Sequence, residues 1–177
     1  MDYDFAKVEK KWQDRWDEKK VFVASEDRTK KKFYALVEFP YPSGAGMHVG
    51  HIKAYGGLEV IARKKRMEGY NVLFPIGFDA FGLPTENYAI KTGIHPRKVT
   101  DTNIERFTDQ LKKVGFSFDW TKVIDTTDEN YYKWTQWIFL KMFEHGLAFR
   151  DKTLVNYCPS CKVVLSNEDS RQLLPVL

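Results

Sequence analysis

No stretch of this chain approaches the roughly 20 consecutive apolar residues of a membrane span. The opening Met1-Asp2-Tyr3-Asp4 has neither the basic flank nor the apolar run of a secretory signal. A protein of the cytoplasm with no membrane association is therefore expected. Cysteine is almost missing. Cys158 and Cys161 are the whole complement, too close together for a disulfide framework and suited to a reducing compartment. Internal repeats and low-complexity segments are lacking too. Charge is nearly balanced, since 28 basic against 24 acidic side chains leave +4, which permits nucleic-acid contact without arguing for it. What is present is apolar mass: 43% hydrophobic and 15% aromatic residues over 177 positions exclude disorder and suffice for one ordinary domain with a small appendage.

Periodicity sets the order of elements. Phe5, Val8, Trp12 and Trp16 recur at three- and four-residue steps among charges, so residues 3–20 are expected to form an amphipathic helix whose tryptophans pack on the body. Residues 25–32 are a polar, basic loop. Residues 33–39, Phe-Tyr-Ala-Leu-Val-Glu-Phe, have the density of a buried strand, which Pro40 and Pro42 stop. Val49, Ile52, Tyr55, Leu58, Ile61 and Ala62 then mark one helical face, ending in Arg63-Lys64-Lys65-Arg66 with Gly69 beyond. That basic cluster reads as a solvated helix end offsetting the macrodipole. Residues 71–75 supply a second short strand. The result is a parallel, right-handed strand–helix–strand unit, the first half of a doubly wound α/β sheet. A Gly/Pro-punctuated loop through Gly77 to Pro84 follows, then helices over about 85–91, 101–114 and 128–145.

The chemistry gathers where strand meets helix. Residues 39–51 read Phe-Pro-Tyr-Pro-Ser-Gly-Ala-Gly-Met-His-Val-Gly-His, a phosphate-handling layout in which the helix start offers unpaired backbone N–H groups and partial positive charge. His48 and His51 could add donors, bind a metal or pack in the core. Gly44, Gly46 and Gly50 favour the phosphate reading, because they remove side chains where a ligand must approach, and no third metal ligand is near in sequence. Asp79, placed after the second strand, falls at the carboxyl edge of a parallel sheet, where ligands of open α/β sheets bind; an Asp beside Gly and Pro also serves turns. Cys158-Pro159-Ser160-Cys161 is half of a zinc site, a redox dithiol or a pair of buried thiols.

The segment from Phe39-Pro40-Tyr41-Pro42-Ser43-Gly44 to His48-Val49-Gly50-His51 resembles the two-histidine signature of the class I aminoacyl-tRNA synthetases. With residues 78–87, Phe-Asp-Ala-Phe-Gly-Leu-Pro-Thr-Glu-Asn, it looks like the leucine-specific branch. The resemblance runs from the Trp12/Trp16 helix to Asn156-Tyr157-Cys158-Pro159 and ends near Asp169. It implies an N-terminal helix and loop over 1–32, a Rossmann-like half domain binding ATP and leucine over 33–150, and the start of a zinc-bearing connective insertion with an atypical tail over 151–177. The implied activity is leucine activation with ATP and Mg2+ to leucyl-adenylate, for transfer to tRNA(Leu), in a monomeric enzyme. His48 and His51 would be the catalytic pair on the ATP phosphates. Pro42, Ser43, Gly44 and Gly50 would flank the nucleotide, Gly50 leaving room for adenine. Phe39, Pro40 and Tyr41 would shape the leucine pocket, Asp79 would pair with the ammonium group, and Cys158 and Cys161 would begin an incomplete Zn2+ site. The basic cluster at 63–66 offers tRNA phosphates an alternative contact.

The family's second signature, of the Lys-Met-Ser-Lys-Ser kind, does not occur, Lys141-Met142 being followed by Phe143 and Glu144. The expectation is thus the N-terminal portion of a longer enzyme. Alternatives are an isoleucine, valine or methionine synthetase, a nucleotidylyltransferase, or a non-catalytic nucleotide-binding module.

Overall fold

Residues 71–78 contribute to two separate two-stranded parallel sheets. Around Pro75, which has no N–H to donate, this stretch makes two short ladders: β2 (Asn71–Leu73) pairs in parallel with β1 (Lys32–Tyr34), and β3 (Gly77–Phe78) in parallel with β4 (Ile124–Asp125). The Ala35 N–H donates to Leu73 O on one side, while Asp119 N–H reaches Phe74 O and Ile124 N–H reaches Ile76 O on the other. The strands depart from expectation in two ways. Residues 33–39 leave the ladder after Ala35, because apolar density reports burial and not pairing, and residues 77–78, expected in a loop, are a strand. The computed structural model describes residues 3–42, 46–160 and 162–168, so Ser43, Gly44 and Cys161 lie outside the described residues.

The chain divides into two compact units, Met1–Trp134 and Thr135–Leu177. In the first, α2 (Val49–Met67) connects β1 to β2, and α3 (Leu83–Thr92) with α4 (Pro96–Val114) connects β3 to β4. Tyr55 and Ala62 of α2 and Leu111 of α4 join one core with Ala35, Val72, Phe74, Ile76, Phe116 and Phe118. Aromatic contacts dominate it: the Phe74 and Phe118 rings lie 4.4 Å apart, and Tyr55 meets Phe118 edge-on at 6.0 Å. Truncating one such ring to Ala typically costs about 3–5 kcal/mol.

Helix ends follow local rules. α1 (Phe5–Glu18) starts on Asp4, whose carboxylate accepts from Lys7 N–H at 3.0 Å. α4 begins five residues before its expected start because Pro96 occupies its first turn and His95 caps it, while Gly115 ends it at φ +80°. On α1, Trp16 packs against Phe22 and beneath Arg63, but Trp12 remains exposed among Lys11 and Arg15.

The buried stripe of α2 is Tyr55, Glu59 and Ala62, with Val49 and Ile61 on the solvent side. Glu59 reverses the simple apolar pattern because it has partners inside: its carboxylate accepts from Ser117 N–H at 2.9 Å and Ser117 Oγ at 2.8 Å, and from Arg63. The basic cluster is therefore only partly a solvated end. Arg63 donates to Gly115 O, and Arg66 to Ser117 O and Oγ, fixing the helix to the segment before β4. Lys64 and Lys65 pair with Glu68.

In the second unit, β5 (Asn156–Cys158) and β6 (Val163–Leu165) form an antiparallel hairpin with Cys158 opposite Val163. Lys162 N–H donates to Cys158 O at 2.8 Å to close it.

Candidate active site

A cleft of about 520 Å³ opens between the end of β1 and the start of α2. Phe39, Pro40 and Tyr41 line it from the strand side, and His48, Gly50 and His51 from the helix side. Six of the residues singled out from the sequence thus share one wall-to-wall space. Asp79 is adjacent: its N–H donates to Pro40 O at 3.1 Å, and its exposed side chain sits past the end of β3, the third strand in the chain and not the second.

His48 is the N-cap of α2. Its Nδ1 accepts from Gly50 N–H at 3.1 Å, and His51 Nδ1 accepts from His48 N–H at 3.1 Å, a reciprocal capping box built from two imidazoles. The helix start does not offer these two backbone amides to a ligand, since the imidazoles already hold them. The consequence for the side chains is sharper. A neutral imidazole that accepts at Nδ1 carries its proton on Nε2, so both rings keep an N–H donor for an anion. The rings stack with centroids 3.9 Å apart. Burial, then the neighbouring His48, hold the His51 imidazole below its ordinary value of 6.5 against the pull of Glu38, which keeps it a neutral Nε2–H donor at physiological pH.

Glycine at 50 has a cause inside the protein. A Cβ there would stand 2.9 Å from the His48 ring, so a side chain would displace the cap. On the strand side, the Phe39 ring lies against Gly77, where a Cβ would approach it to 2.6 Å. Tyr41 does more than line a wall: its hydroxyl accepts from Thr85 N–H at 3.2 Å and lies 2.8 Å from Thr85 Oγ1, capping α3, whose own N-cap residue is Gly82.

Sequence reasoning missed three contributors. Glu38 faces the cleft and, after burial, helps push the Tyr55 hydroxyl up to about 12; a lone charge inside the apolar run 33–39 was its signal. Asn103 and Gln110 of α4 hold the chain within the signature, ahead of its two histidines, through Pro42 O and Met47 N–H. Polar amides on the inner face of an amphipathic helix were theirs. Among the described residues there is no group of three or more His, Cys, Asp or Glu able to hold a metal ion.

The model of the family described as "tRNA synthetases class I (M)" matches residues 34–175. The chain belongs to the class I tRNA synthetases. It is 60% identical over 167 residues to the leucine–tRNA ligase of Alkaliphilus oremlandii, covering 94% of this chain and 21% of that protein. It is 55% identical to the leucine–tRNA ligase of Chlorobaculum tepidum, covering 96% and 21%. The chain thus spans about a fifth of the length of these curated relatives. Among solved structures it matches the agnB2 LeuRS of Agrobacterium radiobacter K84, in ternary complex with tRNA and LeuAMS, at TM-score 0.85 and 38% identity over 94% of this chain and 22% of that one. Mycobacterium tuberculosis methionyl-tRNA synthetase, in complex with methionyl-adenylate, matches at TM-score 0.59 and 30% identity over 66% and 22%. The α/β fold with short parallel strands is that of the class I synthetases.

Proposed function

We propose that this chain is the ATP- and leucine-binding N-terminal part of a leucine–tRNA ligase, in which leucine attacks ATP and the resulting leucyl group passes to tRNA(Leu). The observation that carries the reading is the imidazole pair, whose Nδ1 atoms are tied to the backbone so that two Nε2–H donors remain at one cleft. The identity to leucine–tRNA ligases supplies the amino acid.

The chemistry needs no protein nucleophile. A leucine carboxylate oxygen bonds to the α-phosphorus as the bond to the bridging oxygen of pyrophosphate breaks, and charge develops on the phosphate oxygens. His48 and His51 donate to those oxygens from fixed positions; fixed donors of this kind supply about 10²–10³ in rate each. Pro42, Ser43, Gly44 and Gly50 flank the nucleotide, and Mg2+ arrives with the triphosphate. Phe39, Pro40 and Tyr41 enclose the leucine side chain, and the exposed Asp79 pairs with its ammonium group. Cys158 and Cys161 would give zinc two thiolates; the described residues do not complete a set, and no step runs through that metal. The protein works in the cytoplasm as a monomer.

The methionine-type family model and the methionyl-tRNA synthetase likeness favour a second reading, activation of methionine. Thermal unfolding of the chain with leucyl, methionyl, isoleucyl and valyl sulfamoyl-adenylates separates the two. The leucyl compound at a hundredfold excess over its Kd should stabilise by about 2.7 kcal/mol, a Tm rise of roughly 5–10 °C. Preference for another analogue, or a shift with none, would overturn the assignment.

A further inference from the structure

One face of α4 grips the chain at two points ahead of the two histidines, Pro42 and Met47. Asn103, Phe107 and Gln110 follow at steps of four and three, which stack on one helical face. Asn103, buried, donates from Nδ2 to Pro42 O at 2.9 Å. Gln110 accepts at Oε1 from Met47 N–H at 2.9 Å. Between them the fully buried Phe107 ring meets the His51 ring edge-on, with centroids 5.9 Å apart, and the Phe78 ring at 6.5 Å. Gly46 fits the same clamp: it is buried at φ +87°, and a Cβ would come within 2.8 Å of the Gln110 amide.

We propose that Asn103 and Gln110 are positioning residues for the phosphate site, holding the chain at two points ahead of the two histidines so that His48 and His51 present their donors in one fixed place. The proposal deepens the functional reading above and rests on it. Neither amide touches the cleft, and each acts on it through the backbone. His48 follows Met47 directly, so the Met47 N–H bond fixes where the N-cap of α2 begins. The Pro42 carbonyl fixes where the chain leaves the strand side. A donor displaced by an ångström loses much of its worth on an anion, since hydrogen bonds weaken steeply with distance and angle. The clamp therefore governs ATP more than leucine.

The test uses near-isosteric apolar replacements in the 177-residue chain, Gln110→Met and Asn103→Leu, read by amide hydrogen exchange and by ATP and leucine affinities. With Gln110→Met, exchange at Met47 should rise about tenfold, as expected for loss of one partly buried hydrogen bond. The Ala35 amide, donating to Leu73 O in the sheet, should stay as slow as in the wild type. ATP affinity should fall about tenfold and leucine affinity stay within a factor of about two. Unchanged exchange at Met47, or a rise shared equally by Ala35, overturns the proposal, and so does an equal loss of ATP and leucine binding. Should Asn103→Leu fail to fold because Pro42 O is buried, the half-exposed Gln110 decides the matter alone. If the wild-type chain binds no ATP, the functional reading falls, and exchange at Met47 still decides whether the clamp exists.

Discussion

His48 and His51 each hold a backbone amide and each retain an outward donor, and these two roles can be separated by substitution. Asn is among the best N-cap residues, and Glu is the usual third residue of a capping box. His48→Asn keeps an oxygen to accept from Gly50 N–H, and His51→Glu keeps one to accept from His48 N–H, at the places where Nδ1 accepts now. Both replacements remove the imidazole Nε2–H, and His51→Glu sets a carboxylate where a triphosphate would lie. Losing a cap costs about 1 kcal/mol, which in a chain of this size lowers Tm by roughly 2–4 °C. His48→Ala and His51→Ala should show that loss, whereas His48→Asn and His51→Glu should unfold within about 1 °C of the wild type. If the imidazoles donate to phosphate, the cap-preserving variants should still lose about 10²-fold or more in ATP-dependent leucyl-adenylate formation. Thermal unfolding followed by circular dichroism reads the first quantity, and pyrophosphate exchange or calorimetric ATP titration reads the second. Cap-preserving variants that handle ATP as the wild type does would refute the donor role and leave the histidines as helix caps.

Glu59→Ala should destabilise by about 2–3 kcal/mol in urea unfolding, because it strips a buried acceptor from Ser117 and Arg63 together; a change below about 0.5 kcal/mol would show that the carboxylate is not needed there. Gly50→Ala should separate stability from binding: alanine favours the helix by up to about 1 kcal/mol, yet its Cβ would press on the His48 ring from 2.9 Å, so ATP affinity should fall with little loss of Tm. His51 titration has a fixed sign. Burial and then His48 lower its affinity for the proton below the ordinary 6.5, so the unfolded chain takes the proton first as pH falls, and stability is lost between 6.5 and the lower native value. An NMR titration midpoint for His51 at or above 6.5 would contradict this.

The parts legible in the sequence are those whose cause lies within a few residues. The two-histidine helix start, the stop signals of α2 and the parallel relation of β1 to β2 needed only local pattern. The misread parts have causes far along the chain. The basic cluster reads as solvated from its neighbours alone, because Ser117, the partner of Arg66, lies 51 residues on. The strand over residues 33–39 was overextended since apolar density cannot tell a paired backbone from a buried one. The capping role of the imidazoles was hidden for a different reason: histidine is not among the favoured caps, and only the geometry shows Nδ1 in the place a carboxylate or hydroxyl usually takes.

Residues 40–42 show why a contiguous signature still depends on the whole first unit. Pro40 O accepts from Asp79 N–H, the Tyr41 hydroxyl meets Thr85 and Gly82 O, and Pro42 O accepts from Asn103. Three successive residues are thus fastened to the end of β3, the start of α3 and the inner face of α4, at separations of 39, 44 and 61 residues. Each bond alone contributes about 1 kcal/mol, too little to define a fold. Together they fix this stretch relative to Asp79, the start of α3 and α4, the helix whose Gln110 also holds Met47 next to His48. The proposed reaction, which would rest on placement with no nucleophile from the protein, would require that rigidity before substrate arrives, because a loop ordered by ATP would draw the cost of its ordering from binding. Substituting a distant anchor such as Asn103 should therefore weaken the site as surely as substituting a residue that faces the cleft.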